Sequence, residues 1–120
     1  MNAVFDTNIL IDALNGIKEA NEEYARYEKV FISRIAWMEV LIGAPEDDAQ
    51  VRNFLADYFE ILPLNLAIAE KAIQLRRQYK MRLPDAIIWA TAKINDAVLV
   101  SRNTKDFDPE WDGVRLPYTV

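Results

Sequence analysis

The chain has 120 residues, 52% of them hydrophobic, enough for one domain with a core of its own. It contains no cysteine and no histidine, which excludes disulfides, thiolate metal sites, serine–histidine triads and the usual general base. What remains for catalysis or metal binding is carboxylate chemistry, suited to hard cations such as Mg²⁺ and Mn²⁺. The net charge of −5 excludes a uniformly basic nucleic-acid binder, but it is unevenly spread. Residues 1–60 carry five Lys/Arg against twelve Asp/Glu, a net of −7, whereas residues 61–120 carry nine against seven, a net of +2. A local cationic patch beside an acidic pocket fits this distribution, as does a solvated helix face.

Ala3-Val4-Phe5 stops at Asp6 and reads as a buried strand followed by a turn bearing an acid. Asn8 to Leu14 forms a short helix closed by Asn15-Gly16. Ile17, Ala20, Tyr24 and Tyr27 recur at helical spacing and predict an amphipathic helix over 17–28. Val30-Phe31-Ile32 is a second strand, and Ser33 caps a third helix that runs to Ile42, where Gly43 and Pro45 end it. Glu46 to Phe59 is a fourth helix with an acidic start that complements its dipole. Glu60 to Leu64 is a third strand, placed at an edge or strand end by Pro63. Asn65 caps a fifth helix with the stripe Ile68, Ala72, Leu75 and Tyr79. A sixth helix runs from Asp85 to about Ile94, followed by a strand from Ala97 to Val100, a polar loop from Ser101 to Asp108, and a last strand from Val114 to Leu116.

Strands alternate with helices throughout, which predicts an α/β domain over 1–120 with a mostly parallel sheet covered on both faces. No leader is visible, since Asp6 and Asp12 interrupt the opening apolar run, and no window reaches the ~18 apolar residues of a membrane span. The expected location is cytoplasmic.

The connections bring acids to one edge of the sheet. Only Asn95-Asp96 separates the sixth helix from the fourth strand, so that helix starts at the carboxyl edge, near Asp6. The loop after the fourth strand, with Asn103 and Asp106, leaves at the same edge, and Glu39 lies about two turns into a helix that starts there. The fifth helix poses a difficulty: either Lys80 to Pro84 climbs back across the sheet or that helix lies obliquely. Glu39 shares a helix face with Ile35 and Ile42, which predicts a poorly hydrated carboxylate. Acids gathered in this way repel one another unless a divalent ion joins them. Each also has a bland reading: Asp6 as a helix cap, Glu39 as an exposed edge residue, Asp85 as a first-turn acid after Pro84, and Asp106 as a turn residue. Asn8, Ser101 and Asn103 read as capping and loop residues.

With these residues in hand, the chain resembles the PIN-domain ribonucleases, and within them the VapC toxins of toxin–antitoxin pairs. Four segments carry the resemblance in order: Val4 to Asp12 with Asp6, Ile32 to Glu39 with Glu39, Leu83 to Ala92 with Asp85, and Ser101 to Phe107 with Asp106. Two positions depart from the family pattern. Ala36 stands where threonine is frequent, and Trp89 where a small residue is usual. The resemblance implies a three-layer α/β/α PIN-like fold, cleavage of RNA by metal-activated water, a homodimer, and inhibition by a cognate antitoxin. It implies that Asp6, Glu39, Asp85 and Asp106 hold Mg²⁺ or Mn²⁺, that Asn8, Ser101 and Asn103 support them, and that Arg76, Arg77, Arg82, Arg102 and Lys105 are candidates for the RNA backbone. The alternatives are a catalytically inactive PIN-like module that binds RNA or protein and, further off, a phosphoacceptor receiver-like domain, which would need paired acids after the first strand.

Overall fold

Every residue of the first two strands is buried, and that dictates the architecture. Side chains alternate between the faces of a strand, so Ala3, Val4 and Phe5 of β1 (Ala3–Phe5) can all be hidden only if both faces are covered. The same holds for β2 (Val30–Ser33). In the computed structural model, which describes residues 1–120, these strands form a five-stranded sheet with β3 (Glu60–Leu62), β4 (Val98–Val100) and β5 (Val114–Arg115), in the order β3-β2-β1-β4-β5. Ala3 of the central strand is in register with Val30 on one side and Val98 on the other. All four pairings are parallel, so the sheet expected to be mostly parallel is wholly so.

The crossovers supply the outer layers: α1 (Thr7–Leu14) and α2 (Lys18–Tyr24), α3 (Arg34–Ile42) and α4 (Asp48–Tyr58), then α5 (Leu66–Tyr79) and α6 (Leu83–Ile94). The result is the expected three-layer α/β/α arrangement. No helix is long and apolar enough to cross a membrane.

Several element bounds differ from the sequence reading. The helix expected over 17–28 ends at Tyr24, because Arg26 and Tyr27 N–H groups donate to the Glu23 and Tyr24 carbonyls in tighter turns and Glu28 N–H already pairs with the Met1 carbonyl. A 3₁₀ turn, Pro45–Asp47, precedes α4. The edge strand β3 stops at Leu62, since Pro63 has no N–H to continue the ladder. Helix α6 starts at Leu83, with Pro84 in its first turn. Trp89 is core: it is buried, and its indole stacks on Trp111 at 4.9 Å with an 8° interplanar angle.

The strand order fixes where a site can form. From β1 the chain moves outward through β2 and β3, then returns to the other side of β1 at β4, so the topological switch lies between β1 and β4. A receiver-like domain is excluded by the same order, because flavodoxin-like sheets run 2-1-3-4-5. The difficulty with the fifth helix also resolves. Only Lys80, Met81 and Arg82 separate α5 from α6, too few to retrace the roughly 18 Å length of a 12-residue helix. Helix α5 therefore ends at the carboxyl edge, where Lys80 reverses the chain in the left-handed region at φ 55°.

Candidate active site

Asp6 sits at the switch point and does two jobs. One carboxylate oxygen caps α1 by accepting from Thr7 N–H at 2.7 Å. The other accepts from Ser101 Oγ at 2.7 Å and Asn8 Nδ2 at 3.1 Å. The cap reading is thus true of Asp6, and the same carboxylate also joins α1 to the loop after β4. Asp6 is only 4% exposed. Burial raises its pKa to about 6; the bonds from Ser101 and Thr7 oppose that rise, while the charges of Asp85 and Glu39 add to it.

Asp85 comes in from the first turn of α6 and is buried. Its pKa is raised first by burial and further by Asp106 and Glu39, against the lowering effect of Arg82. Arg82 Nε lies 3.1 Å from Asp85 Oδ2, and its Nη2 lies 3.5 Å from Asp106 Oδ2. Asp106 is held by its own loop: Asn103 Nδ2 donates to Asp106 Oδ2 at 2.8 Å, and Asp106 N–H donates to Asn103 Oδ1 at 3.2 Å. Ser101 links the two halves, since its Oγ donates to Asp6 and accepts from Asn103 N–H at 2.9 Å.

Glu39 requires a correction. Its side chain is exposed, and so is Ile42 on the same helix, so this carboxylate is hydrated, contrary to the expectation from its apolar neighbours. Helix α3 presents this stretch along its open side, while Ala36 and Val40 face the core. Glu39 nevertheless points to the site: its Oε1 accepts from Thr7 Oγ1 at 2.8 Å, and its charge acts on both Asp6 and Asp85. Sequence reasoning misses Thr7, although its place directly after Asp6 is an available signal. Ala36 is fully buried, so a hydroxyl at that position would face the core, and Thr7 supplies the hydroxyl that Glu39 uses.

The cations sort into two groups. Arg76 and Arg77, in the last turn of α5, are exposed, as are Arg82 and Lys105. The short turn between α5 and α6 puts the first three at the acidic edge. Arg102 belongs elsewhere. Its guanidinium makes a two-pronged pair with buried Asp12, Nε to Oδ2 at 2.7 Å and Nη2 to Oδ1 at 3.0 Å, so it is not free to meet RNA.

The donor chemistry suits a hard cation. Four acids and no nitrogen or sulfur ligand line the site, two of the acids are buried, and Arg82 is the only basic side chain paired with any of them. As arranged here, no three of these acids stand close enough to hold one metal ion between them; Arg82 spans Asp85 and Asp106 instead.

The PIN domain family model matches residues 3–108. Among solved structures, the chain is similar to a toxin–antitoxin complex from Klebsiella pneumoniae, at 42% identity over 98% of this chain and 99% of that chain, with a TM-score of 0.89. The fold is shared with VapBC2 from Rickettsia felis bound to a promoter DNA fragment, at 23% identity over 97% of each chain and a TM-score of 0.77. It is shared too with FitAcB from Neisseria gonorrhoeae, at 22% identity over 98% of this chain and 99% of that chain, with a TM-score of 0.80. No curated protein matches the chain. An acidic switch point on a wholly parallel sheet, matched by the family model over nearly the whole length, leads to one conclusion: the chain belongs to the PIN-domain family.

Proposed function

We propose that this PIN domain is a metal-dependent ribonuclease and the toxin of a toxin–antitoxin pair. The observation that carries the reading is the gathering of Asp6, Glu39, Asp85 and Asp106 around the switch point, with Asp6 and Asp85 buried and a single arginine paired with the set. Asp6, Glu39 and Asp85 would hold Mg²⁺ or Mn²⁺, with Asp106 completing the set. A divalent ion there supplies an activated water at neutral pH and offsets negative charge on the phosphate. The chain's own residues do the rest. Ser101, Asn8 and Thr7 orient the acids, Asn103 holds Asp106, and Arg76, Arg77, Arg82 and Lys105 offer cations to the RNA backbone.

The relative from Klebsiella pneumoniae is a toxin–antitoxin complex, and this chain has a surface suited to such a partner. Ile11, Met38 and Ile42 are exposed on α1 and α3, beside a groove lined by Leu14, Val40 and Val51. An apolar antitoxin segment seated there would run past Glu39 to the acids. A homodimer belongs to the same reading, and sedimentation measures it.

Purified protein with Mn²⁺ is expected to cut RNA, and Asp6→Asn and Asp85→Asn are each expected to abolish cutting while leaving the fold intact. A wild-type protein that binds no divalent ion and cuts no RNA overturns the enzyme reading in favour of a binding module. Ile42→Glu is expected to weaken capture of a cognate antitoxin without changing cleavage.

A further inference from the structure

A second network adjoins the acids and reaches Asp6 and Asp106 through hydrogen bonds. Asp12, two turns along α1 from Asp6, is buried, and three donor contacts converge on it. Arg102 supplies two of them, and Tyr118 Oη donates the third to Oδ2 at 2.8 Å. Arg102 is the second residue of the loop that carries Ser101, Asn103 and Asp106. Its backbone N–H donates to Asn8 Oδ1 at 3.1 Å, while Asn8 Nδ2 donates to Asp6 and lies 3.4 Å from Ser101 Oγ. A continuous path therefore runs from Tyr118 through Asp12, Arg102 and Asn8 to Asp6, and from Ser101 through Asn103 to Asp106.

The loop after β4 has no regular secondary structure of its own. Beyond the bonds within the loop it is held by Ser101, whose N–H donates to the Arg115 carbonyl and whose Oγ donates to Asp6, by Arg102 on Asn8 and Asp12, by Arg82 on Asp106, and by Phe107, buried edge-on against Trp89. Phe107 secures the far end and Ser101 N–H begins the near end from the sheet, and between them the Asp12–Arg102 fork is the two-pronged side-chain anchor that ties the loop to α1. A buried ion pair adds little net stability over an apolar pair of similar size. What it does supply is direction, because a planar guanidinium gripping both carboxylate oxygens fixes the orientation of the chain that bears it. Tyr118 in turn holds the Asp12 carboxylate in the orientation that the fork requires.

Resting on the metal-nuclease reading above, we infer that Asp12, Arg102 and Tyr118 are positioning residues that set the divalent-cation affinity of the acidic site. The Glu23 cluster provides a matched control. Arg115 grips Glu23 with two contacts at 2.7 and 3.1 Å, and Tyr27 Oη donates to it at 2.6 Å; the Arg115 carbonyl accepts from Ser101 N–H at 3.1 Å as part of the β4–β5 ladder, but no side-chain hydrogen bond leads from this cluster to the acids.

Titration of Mn²⁺ into the full chain by calorimetry tests the inference. Tyr118→Phe is expected to weaken binding roughly threefold or more and Asp12→Asn roughly tenfold or more, the order of effect when groups that orient metal ligands are removed. Tyr27→Phe and Glu23→Gln should leave it unchanged. Arg102→Lys should not rescue affinity, since an ammonium cannot reproduce the fork. Amide exchange without metal gives a second readout: Asp12→Asn and Tyr118→Phe should speed exchange at Ser101 and Asn103, and the Glu23 variants should not. The inference is overturned if wild type binds Mn²⁺ and Tyr118→Phe and Asp12→Asn bind it equally well, or if the two clusters weaken binding alike. If wild type itself binds no Mn²⁺, the nuclease reading falls and takes this inference with it.

Discussion

Glu23 and Asp6 are carboxylates of equal, slight exposure, but Asp6 lies deeper in the protein and the two have opposite electrostatics. Burial pushes the Glu23 pKa up, but the bonds from Arg115 and Tyr27 and the charge of Arg115 outweigh it and hold the group below its ordinary value. Asp6 has only neutral donors, Ser101, Asn8 and a backbone N–H, and the charges acting on it are other acids, so its pKa stays high, at about 6. The same type of group is a finished structural pair in one place and an unfinished charge in the other. Surface exposure alone would have marked both as sites; the depth of burial and the sign of the neighbouring charges separate them.

Four changes break or sharpen this contrast. The largest effect is expected from Glu23→Ala, which leaves the Arg115 guanidinium and the Tyr27 hydroxyl without their acceptor. Urea unfolding should show a loss of about 3 kcal/mol, at the lower end for a broken buried pair because Arg115 is partly exposed. Asp6→Asn should have the opposite sign. Its raised folded pKa means that the ionised form is disfavoured in the folded chain. Relative to the asparagine variant, metal-free wild type should therefore be equally stable below about pH 4 and lose stability as pH rises through about 6. At pH 7 the variant should gain about 1–3 kcal/mol in chelator and bind no Mn²⁺. Glu23 follows the other rule: its contribution is present above the ordinary carboxylate range and fades as pH falls through its lowered folded pKa.

Arg82→Gln should act on the ligand rather than on the fold. Asp85 and Asp106 raise the guanidinium's pKa, and Arg82 is exposed. Removing it is expected to tighten Mn²⁺ by a factor of roughly 5, the order of one water-screened contact between unit charges, and to weaken RNA retention on a filter. The smallest effect is expected from Tyr27→Phe, about 1 kcal/mol for one hydrogen bond to a carboxylate that keeps its arginine, with RNA cleavage unchanged.

Much of the site is legible in local signals along the chain. The strand ending at Asp6 and the three residues between α6 and β4 suffice to bring Asp6, Asp85 and the Ser101–Asp106 loop to one edge. Glu39 is reached for the wrong reason: its apolar neighbour Ile42 is itself exposed, so helical spacing implies a burial that tertiary packing does not supply. Thr7 escapes notice because its partner Glu39 is 32 residues away. The two carboxylate–arginine–tyrosine clusters are illegible for the same reason. Asp12 lies 90 residues from Arg102 and Glu23 lies 92 from Arg115, and nothing in a single sequence pairs charges over such distances. That is also why Arg102 reads as a hand for RNA although its guanidinium is paired with Asp12.

The three-residue turn between α5 and α6 has a further meaning. With so little slack, the arginines that would grasp RNA and the aspartate that would help cut it are parts of one stiff hairpin rather than two devices that must find each other. Grip and cut would thus be geared together. Two glycines inserted after Lys80 would strip the gears, leaving a protein that still collects its substrate and still takes up metal but turns over slowly.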